Sequence, residues 1–575
     1  MGNGQLYFEF KEASGEVVPR LFDEPIEVIT TERLEEVVAC MRRVEEASKA
    51  GYYVAGYVSY EAAPAFDRAL RVKNGATMPL VWFGVYKESG DASTFSAEAH
   101  FDVRLHSHDT TREQYDEAIQ AVRNAIKEGI TYQANYTIRL NGEIEGCTKS
   151  FFKQLQRNQQ ANYTAYLHIG SHEILSASPE LFFSLKDGRV TTKPMKGTSR
   201  RGRYHAEDIA FAEELYASTK NRAENVMIVD LLRNDLGRVA KTNTVKVEKL
   251  FEIEQYPTVH QMTSTVSAQL REEVGLVELF QSLFPCGSIT GAPKISTMQV
   301  IEEIERSPRD VYCGAIGYLK PGGEAVFNVP IRTAVVRDGE LTYGVGGGIT
   351  WDSSAASEFA EVLAKAQVLL KREKPFQLLE SLLVDNGELF LLDEHIARLR
   401  ESARYFGWSV NEEIVRALLE EHAALLMDGL YKVRLLVSKN GEMTVESTEI
   451  SELRDVIQVS LAKGPVDSGN VYLFHKTTNR DMYAEHQPKE GCFDVLLYNE
   501  RGEVTEFRNG NVVFERDGQW FTPPVHCGLL AGTYRASLLA AGELVEKVVR
   551  VDEMESYDAV YFINSVRKMK KVTFI

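Results

Sequence analysis

The chain has 575 residues, which is too long for a single hydrophobic core and predicts several packed units. Its hydrophobic content of 44% and charged content of 26% are typical of globular proteins and exclude collagen-like and low-complexity classes. The formal net charge of −18 disfavours a nucleic-acid partner, because an acidic surface repels phosphate backbones. No apolar run is long enough to cross a bilayer. We therefore expect a cytoplasmic protein without a membrane segment, whose six cysteines are reduced.

A change of pattern near Pro375 predicts a domain boundary. An amphipathic stretch from Ser357 to Arg372 ends in a charged cluster before this proline, as expected at the end of a helix. The following stretch, FQLLESLLVDNGELFLL, is typical of two strands joined by a turn at DNG. LDEHIARLRESARYFGW is then typical of a helix. The sequence thus predicts one domain over residues 1–373 and a second over residues 374–575.

The first of these domains mixes strand and helix patterns without a regular alternation. Apparent strands such as GYYVAGYVSY, NYTAYLHIG and ELFFSLKDGRVTTKP suggest hairpins. Apparent helices cover Arg112–Glu128, Ala206–Asn234 and Ala292–Glu305. Hairpins combined with covering helices predict an α+β fold with antiparallel sheets, and they disfavour a doubly wound parallel sheet.

Several charged residues stand at turns and helix starts of this domain. Glu180 follows a proline at the start of an apparent strand, and Lys196 lies in the turn PMKGT; either one alone is typical of a solvated surface residue. Glu358 and Glu361 are three residues apart on one helical face, where two like charges repel unless they are solvated or bridged by a cation. With Glu224 as a third ligand they would suit Mg²⁺, whereas the simpler interpretation is solvation.

Taken in order, the motifs of the first domain resemble the chorismate-utilising enzymes, which include anthranilate, aminodeoxychorismate and isochorismate synthases. The matching stretches, between about residues 110 and 370, are SASPELF, KPMKGTSRRG, NRAENVMIVDLLRNDLGRV, FPCGSITGAPK, YCGAIGYL, IRT and GVGGGITWDSSAASEFAEVLAKA. The resemblance implies the fold of that family, with antiparallel sheets and covering helices. Within the family, anthranilate synthases carry alanine where Lys196 stands, and aminodeoxychorismate synthases carry lysine. One departure is Ile130, where many relatives carry aspartate.

The same resemblance implies roles for individual residues. Lys196 would attack the chorismate ring at C2 while the C4 hydroxyl leaves, Glu180 would act as general acid and base, and His260 would contact the leaving hydroxyl. The residues that would hold the ring carboxylate are Arg332, Gly346, Gly347, Gly348 and Lys365. The residues that would bind Mg²⁺ are Glu224, Glu358 and Glu361.

The second domain contains the motifs EHIARL, HKTTNR, GEVTEFRNGNVVF and TPPVHCGLLAGTYR. Lys476 follows the apparent strand VYLF, and Glu506 ends a strand that begins DVLLYN. Gly532 and Thr533 open a helix, whose N-terminus is a candidate anion site. In this order the motifs resemble the fold-type IV pyridoxal-phosphate (PLP) enzymes, which include class IV aminotransferases and aminodeoxychorismate lyase.

This second resemblance implies a PLP site. Lys476 would bind the cofactor covalently, and Glu506 would pair with its protonated pyridine nitrogen. The residues that would hold the phosphate are Arg398, Asn511 and Thr533. Arg508 and Gly510 depart from the family, because they stand where serines are common. The segment also begins at FQLLES without the usual N-terminal strands, so the first domain or a partner subunit would cover that edge.

Together the two resemblances imply a bifunctional enzyme that makes 4-aminobenzoate, the folate precursor. The first domain would convert chorismate and ammonia to 4-amino-4-deoxychorismate, and the second would release pyruvate from that compound. No glutaminase motif is present, so the ammonia would come from free ammonia or from a separate glutamine amidotransferase subunit. A homodimer is a further candidate assembly. One alternative is an anthranilate synthase fused to a PLP aminotransferase, which Lys196 disfavours. Another is a non-catalytic scaffold for a glutaminase, which the intact candidate residues disfavour.

Overall fold

The computed structural model describes residues 4–12, 14–97, 99–372 and 374–575. The chain forms two compact units. The first unit extends to Arg200 and resumes at Ala212, and the second contains Arg201–Phe211 together with Lys374–Ile575. The sequence does not predict that Arg201–Phe211, here called the insert, belongs to the second unit.

The strands of the first unit, within the described residues, form two sheets with antiparallel pairings. The strands are β1 (Gln5–Lys11), β2 (Val17–Phe22), β3 (Glu27–Thr31), β4 (Tyr53–Val58), β5 (Val81–Tyr86), β6 (Phe101–His108), β7 (Gln133–Gly146), β8 (Tyr163–His168), β9 (Glu173–Ser178), β10 (Leu181–Lys186), β11 (Arg189–Lys193), β12 (Met195–Arg200), β13 (Lys246–Gln255), β14 (Val259–Gln269), β15 (Gly291–Ala292), β16 (Ala315–Leu319), β17 (Ala325–Asn328), β18 (Thr333–Arg337) and β19 (Glu340–Ile349). One sheet has the order β15-β7-β19-β18-β9-β8-β1-β2, with β6 beside β7, and the other has the order β12-β14-β11-β10-β17-β16-β4-β5-β3, with β13 beside β14. The helices in this part of the sequence are α1 (Val37–Lys49), α2 (Ala63–Phe66), α3 (Arg112–Lys127), α4 (Thr148–Gln159), α5 (His205–Ala217), α6 (Thr219–Gly237), α7 (Leu276–Leu283), α8 (Lys294–Ile304) and α9 (Ala355–Leu370).

The two sheets pack face to face because their strands are apolar on both sides. Along β1, Leu6, Phe8 and Phe10 lie in a cluster shared with Tyr318 of the other sheet, and the rings of Phe8 and Tyr318 are 5.4 Å apart. Tyr7 points the other way and joins the cluster of α3, α4 and α9. Another cluster, with α1, α6 and α7, covers the second sheet. The unit is therefore layered as helix, sheet, sheet and helix, and the predicted α+β fold with antiparallel sheets is confirmed.

Most predicted helices are present with slightly shifted ends. The helix α3 begins where expected, because Thr111 and Gln114 form a reciprocal capping box. The predicted helix over Ala206–Asn234 is wrong, since it is divided into α5 and α6 at Ser218. The hydroxyl of Ser218 accepts a hydrogen bond from the backbone N–H of Asn221 and so caps α6.

The second unit contains one antiparallel and one mixed sheet. Its strands are β20 (Leu378–Asp385), β21 (Glu388–Leu389), β22 (Leu430–Val437), β23 (Met443–Glu449), β24 (Val456–Leu461), β25 (Asp494–Tyr498), β26 (Val504–Phe507), β27 (Asn511–Arg516), β28 (Gln519–Thr522), β29 (Leu544–Glu546), β30 (Ala559–Asn564) and β31 (Lys568–Phe574). The antiparallel sheet has the order β21-β20-β22-β23, and the mixed sheet has the order β26-β25-β24-β31-β30-β27-β28-β29. The remaining helices are α10 (Leu392–Phe406), α11 (Glu412–Ala423) and α12 (Thr533–Ala540). Within the described ranges, no helix combines the length and the apolar character needed to cross a membrane.

Two strand predictions in the second unit are wrong. The stretch VYLF forms a short 3-10 helix at Val471–Leu473, and Lys476 follows it on extended backbone that pairs with β20. Glu506 lies on β26, one strand later than the DVLLYN strand β25, because the chain reverses between them. The predicted turn between β20 and β21 is present, with positive φ at Asn386 and Gly387.

A buried ion pair connects the end of α8 with β7. Arg309 donates to the two carboxylate oxygens of Glu305 at 3.0 and 2.7 Å, and both side chains are almost fully buried. Glu305 also accepts from the backbone N–H of Thr137 on β7 at 2.9 Å. Arg309 donates in addition to the carbonyl oxygens of Asn135 and Ile289, each at 2.8 Å. The pair therefore fixes β7 relative to the loop that precedes α8.

Replacement of Arg309 by methionine should lower the free energy of unfolding by about 3–5 kcal/mol, because Glu305 would keep a buried charge with only Arg139, 3.7 Å away, as a cationic partner. Urea denaturation followed by circular dichroism measures this loss. The control is Arg233→Met on α6, which removes an ion pair with Asp230 between side chains that are 53% and 60% exposed. It should change stability by less than about 1 kcal/mol. Equal unfolding midpoints for the two variants would contradict the structural role of the buried pair.

Candidate active sites

A cavity of about 600 Å³ in the first unit gathers most of the predicted site residues. Its walls come from β12, β14, β19, α6, α9 and the loops beside them. The predicted residues that line it are Glu180, Lys196, Glu224, Arg332, Gly346, Gly347, Gly348, Glu358, Glu361 and Lys365. Residues that are distant in the sequence, from Glu180 to Lys365, therefore surround one space.

Lys196 reaches this cavity through an irregularity of its strand. Between Met195 and Thr198, β12 loses regular pairing with β14, and Gly197 adopts a positive φ of 92°, which favours glycine. The ammonium group of Lys196 lies against β19, since a Cβ at Gly348 would be only 3.1 Å from its Nζ. Burial lowers the pKa of Lys196, although the carboxyl groups of Glu180 and Glu224 oppose that shift. The site thus favours a neutral, nucleophilic amine.

Glu180 lies between β9 and β10 and is 2% exposed. Its backbone N–H donates to the Ser178 hydroxyl at 3.1 Å, which holds the turn before β10. Burial raises the pKa of Glu180 to about 7, and the opposing effects are a hydrogen bond from Ser288 and the charge of Lys196. Its Oε1 has no hydrogen-bond partner among the described residues. A buried carboxyl group with this pKa and a free oxygen is suited to exchange a proton with a ligand.

The carboxyl groups of Glu224, Glu358 and Glu361 form an acidic wall of the cavity. Burial raises the pKa of Glu224 and of Glu358, and the charge of Glu361 adds to both shifts. Lys365 forms an ion pair with Glu361 at 2.6 Å and donates to the carbonyl oxygen of Gly346 at 2.8 Å. Among the described residues no group of three or more acidic, His or Cys side chains is already arranged for a metal. The oxygen donors nevertheless fit Mg²⁺, which usually combines one or two carboxylates with water and substrate oxygens.

His260 is not among the residues that line this cavity, and its predicted contact with the leaving hydroxyl stays a prediction. It lies on β14, where its neighbours Val259 and Gln261 line the cavity. Successive side chains of a strand point to opposite faces, so His260 faces the other side of β14 from these two residues. The sequence prediction also missed Gln133 and Asn135, which line the cavity from β7. Their spacing of two residues in the stretch QAN could have indicated a shared strand face.

In the second unit, Lys476 is held on extended backbone beside β20. Its carbonyl oxygen accepts from the N–H of Leu379 at 2.9 Å, and Thr478 donates to the carbonyl oxygen of Gln377 at 2.9 Å. These two hydrogen bonds pair the segment that contains Lys476 with the beginning of β20. This is the edge at which the usual N-terminal strands are absent from the sequence. Burial lowers the pKa of the Lys476 amine to about 8, and the positive charge of Arg398 acts in the same direction.

Glu506 is buried on β26, and both of its carboxyl oxygens are engaged. Tyr483 donates to Oε1 at 2.8 Å, and the backbone N–H of Leu530 and the amide of Asn511 donate to Oε2 at 3.2 and 3.4 Å. Burial raises the pKa of Glu506 to about 8, although these hydrogen bonds and the nearby cations oppose it. A carboxyl group held in this way is suited to share a proton with a basic ring nitrogen.

A network centred on Glu380 stands beside the start of α12. Arg398 donates to both oxygens of the Glu380 carboxylate at 2.9 and 2.6 Å, and Nδ1 of His395 lies 2.6 Å from its Oε2. Nε2 of His395 lies 3.2 Å from the hydroxyl of Thr533, the first residue of α12. The sequence prediction missed Glu380 and His395. A single acid within the apolar stretch FQLLESLLV was the available signal, because a charge on a buried strand needs a partner.

The predicted phosphate-binding residues lie on both sides of the segment that leads into α12. Arg398 donates to the carbonyl oxygen of Ala531 at 3.3 Å, and Asn511 donates to that of Leu530 at 2.8 Å. Gly532 caps α12, and a Cβ there would be 2.0 Å from Oδ1 of Asn511. A helix N-terminus, a guanidinium group and a close glycine backbone are groups that hold a phosphate. The residues present therefore fit PLP.

Comparison with known proteins decides the family. Residues 4–371 match the family described as chorismate binding enzyme, and residues 377–575 match that of amino-transferase class IV. The chain belongs to the chorismate binding enzyme family. The predicted order, a chorismate-utilising enzyme fold followed by a class IV aminotransferase-like fold, is confirmed.

Curated members of the family match about half of the chain. Aminodeoxychorismate synthase component 1 of Escherichia coli (strain K12) is 41% identical over 262 residues, which are 46% of this chain and 58% of that protein. Anthranilate synthase component 1 of Aquifex aeolicus is 35% identical over 285 residues, which are 50% of this chain and 58% of that protein. The chain thus spans less than two thirds of either relative. The crystal structure of anthranilate synthase component I from Streptococcus pneumoniae shares the fold, with a TM-score of 0.51 and 24% identity over 64% of this chain and 92% of that one.

The departure of this chorismate binding enzyme at Gly510 has a local structural reason, whereas the structure does not explain the arginine at position 508. Gly510 forms the turn between β26 and β27, where its N–H donates to the carbonyl oxygen of Phe507. A Cβ at Gly510 would lie 2.6 Å from the carbonyl oxygen of Ile563, so a serine would not fit without a shift. The carbonyl oxygen of Arg508 accepts from Arg480 at 2.7 Å. The turn is therefore held by backbone contacts rather than by serine hydroxyls.

Replacement of Glu380 by glutamine should destabilise the protein in a pH-dependent way. Its partners lower the pKa of the carboxyl group from 4.5 to about 2. The Glu380 carboxylate therefore contributes its full stabilisation above the pKa that it has in the unfolded state. This stabilisation is lost as the pH falls through the pKa of the folded state. We expect a loss of about 3 kcal/mol at pH 7 that shrinks as the pH falls below about 4.5. Urea titrations at pH 7 and at acidic pH measure both values.

The matched control is Glu446→Gln on β23, where the partner is Arg434 and the glutamate side chain is 58% exposed. Its effect should stay below about 1 kcal/mol at each pH. If Glu380→Gln were equally destabilising at pH 7 and near pH 3, the carboxylate would not carry the assigned charge interaction.

Proposed function

We propose that this enzyme makes 4-aminobenzoate from chorismate and ammonia in two steps, one in each unit. The observation that carries the first step is the amine of Lys196 against Gly348 in the cavity, with Glu180 as a second lining residue. The 41% identity to aminodeoxychorismate synthase component 1 supports it. The match to amino-transferase class IV and the buried Lys476 support the second step.

In the first step, the neutral amine of Lys196 forms a bond to C2 of the chorismate ring. The two conjugated double bonds of the ring shift, and the C4 hydroxyl leaves as water with a proton from Glu180, whose pKa of about 7 allows it to donate at neutral pH. Ammonia then bonds to C4, both double bonds shift back, and the bond from C2 to Lys196 breaks. The proton that the added ammonia loses returns to Glu180. The product is 4-amino-4-deoxychorismate, and the lysine is regenerated.

Other residues that line the cavity would bind the substrate. Arg332 and Lys365 provide the positive charge for the ring carboxylate, and the backbone of Gly346–Gly348 allows its close approach. The carboxylates that would hold Mg²⁺ are Glu224, Glu358 and Glu361. Bound Mg²⁺ would supply positive charge that offsets the negative charge of the substrate and of the acidic wall.

Anthranilate synthesis is the alternative for the first unit, because anthranilate synthase relatives also match. In that reaction ammonia adds at C2, which is the carbon that Lys196 would occupy here. A buried lysine with a lowered pKa at this position blocks ammonia from C2 and directs it to C4. The position of Lys196 therefore favours the 4-amino product.

In the second step, Lys476 acts on aminodeoxychorismate. When bound, PLP would supply an electron sink for the carbon that loses its proton. Arg398, Asn511 and Thr533 would hold the phosphate, and Glu506 would face the ring nitrogen. Lys476, with a pKa of about 8, would remove the proton at C4 of the substrate. It would return a proton to the methylene carbon of the enolpyruvyl group, which leaves as pyruvate.

We further propose that a separate glutamine amidotransferase supplies the ammonia, because the name "component 1" of the relatives implies a partner component. A cytoplasmic location agrees with the cysteines, all six of which are free in the described chain. A homodimer stays a proposal for the assembly.

Replacement of Lys196 by alanine should reduce aminodeoxychorismate formation to background, because the nucleophile at C2 is lost. The assay supplies chorismate, ammonium and Mg²⁺ and identifies the products by mass spectrometry. Lys249→Ala, at an ammonium group that is 61% exposed in the same unit, should retain the wild-type rate. Anthranilate as the wild-type product, or unchanged output from the Lys196 variant, would exclude the proposed first step.

Replacement of Lys476 by alanine should abolish the second step alone. The variant should consume chorismate at the wild-type rate and accumulate aminodeoxychorismate, which an added lyase should convert to 4-aminobenzoate. It should also lack the visible absorbance of covalently bound cofactor. Lys463→Ala, at an exposed lysine of the same unit, is the control and should keep both activities. Continued release of 4-aminobenzoate by Lys476→Ala would show that another residue moves the proton.

A further inference from the structure

The insert lies, in sequence, inside the region that matches the chorismate binding enzyme family, yet it is built into the second unit. Arg201 forms a two-pronged ion pair with Asp208 at 2.7 and 2.8 Å, which closes the insert on itself. The same guanidinium donates to the carbonyl oxygen of Tyr405 on α10 at 2.7 Å and lies 4.3 Å from the centre of its ring. Because Arg201 and Asp208 are both almost fully buried, this end of the insert is firmly anchored.

The middle of the insert packs against the residues that precede Lys476. The rings of Tyr204 and Phe474 are stacked with centroids 5.3 Å apart. Arg203 forms an ion pair with Glu207 at 2.9 Å and donates to the carbonyl oxygen of Ser468 at 3.1 Å. The insert thus contacts the segment before Lys476 at Ser468 and at Phe474.

His475, directly before Lys476, connects the insert to the cofactor lysine. Its side chain is buried, with Nε2 3.2 Å from the carbonyl oxygen of Arg203 and Nδ1 3.1 Å from the hydroxyl of Ser402. Burial lowers the pKa of His475 to about 3, so the ring is neutral and carries one N–H. A carbonyl oxygen can only accept, so Nε2 must donate to Arg203 and Nδ1 must accept from Ser402. One tautomer and one ring orientation are therefore fixed.

We propose that the insert is a positioning element of the second active site, which holds His475 in place and thereby fixes the backbone at Lys476. This inference rests on the proposed lyase function of Lys476. On its other side, Lys476 is held by the bond from Leu379 on β20. The backbone of the cofactor lysine is thus held between β20 and the insert. A loss of either support would let the amine move and would admit water to it.

The test compares Tyr204→Ala with Tyr204→Phe in the full-length protein. The alanine variant removes the stack on Phe474, whereas phenylalanine keeps it. The first readout needs no cofactor: reductive methylation of the apoprotein across a pH series, with the Lys476 peptide quantified by mass spectrometry, gives the pKa of its amine. In the alanine variant this pKa should rise by about one unit toward the ordinary value as water enters. In the phenylalanine variant it should not change.

The second readout is the conversion of supplied aminodeoxychorismate by the protein with PLP. The alanine variant should lose between about tenfold and a hundredfold in kcat, because a misplaced reacting group loses its near-attack geometry. The phenylalanine variant should stay within about twofold of wild type. Aminodeoxychorismate formation from chorismate, measured separately, should be unchanged in both.

A second pair of variants acts at His475 itself. His475→Gln keeps an N–H that can reach the carbonyl oxygen of Arg203 and should restore most of the activity, whereas His475→Leu should behave like Tyr204→Ala. The proposal is overturned if Tyr204→Ala and His475→Leu lower thermal stability yet leave the pKa of Lys476 and the lyase kcat unchanged. If wild type converts no aminodeoxychorismate, the proposed function fails, and the labelling of Lys476 still decides whether the insert positions it.

Discussion

Both candidate sites depend on a lysine side chain that the fold removes from water. Burial disfavours an ammonium group, because a low-dielectric surrounding replaces its hydration poorly. It therefore lowers the pKa of Lys196 and of Lys476. Carboxyl groups nearby oppose part of this shift in both sites. The two folds achieve this differently. Lys196 leaves a strand at an irregularity beside Gly197, whereas Lys476 lies on extended backbone after a 3-10 helix.

Burial also changes the pKa of carboxyl groups, and the number of cationic partners decides whether that pKa rises or falls. Glu506 receives neutral hydrogen bonds and only more distant positive charges, so burial prevails and its pKa rises to about 8. Glu380 is also buried, yet Arg398 and His395 bind it directly, and its pKa falls to about 2. The first acid can hold a proton at neutral pH, and the second remains a permanent anion. The charged carboxylate of Glu380 orients Arg398 and His395 near the start of α12. Glu506 can keep a proton that it shares with a ligand.

The sequence predicted which residues line the first cavity better than it predicted how local structure arranges them. Motifs that are up to about 185 residues apart in the sequence line one cavity. The resemblance to a family predicts this, because rules for local secondary structure contain no information about contacts between distant residues. Local rules are weakest where a single residue changes the outcome. Strand alternation turns Val259 and Gln261 toward the cavity, and the predicted role of His260 stays a prediction. A helix was drawn through Ser218 because helical periodicity does not reveal an internal cap.

The second site shows the other limit of sequence reasoning. Recognisable motifs predict the site residues Lys476, Glu506, Arg398, Asn511 and Thr533, and their roles stay predictions. Glu380 was missed, because a buried acid on a strand is identified only when its partners are known, and they come from α10. The strand predicted for VYLF failed for a similar reason. Apolar and β-branched residues favour a strand, but here Asn470 caps a 3-10 helix by accepting from the N–H of Tyr472.

The insert shows that a family match and a folding unit need not share their limits. The motif KPMKGTSRRG carries the resemblance to chorismate-utilising enzymes, yet its first part lies in one unit and Arg201 already belongs to the other. Within the second unit, Tyr405 and Phe474 bury their rings against Arg201 and Tyr204. A fragment that began at Lys374 would lose both contacts and would expose apolar rings beside His475. The second unit therefore includes a segment encoded about 170 residues before its main body, and a cut at the sequence boundary alone would not separate the two units.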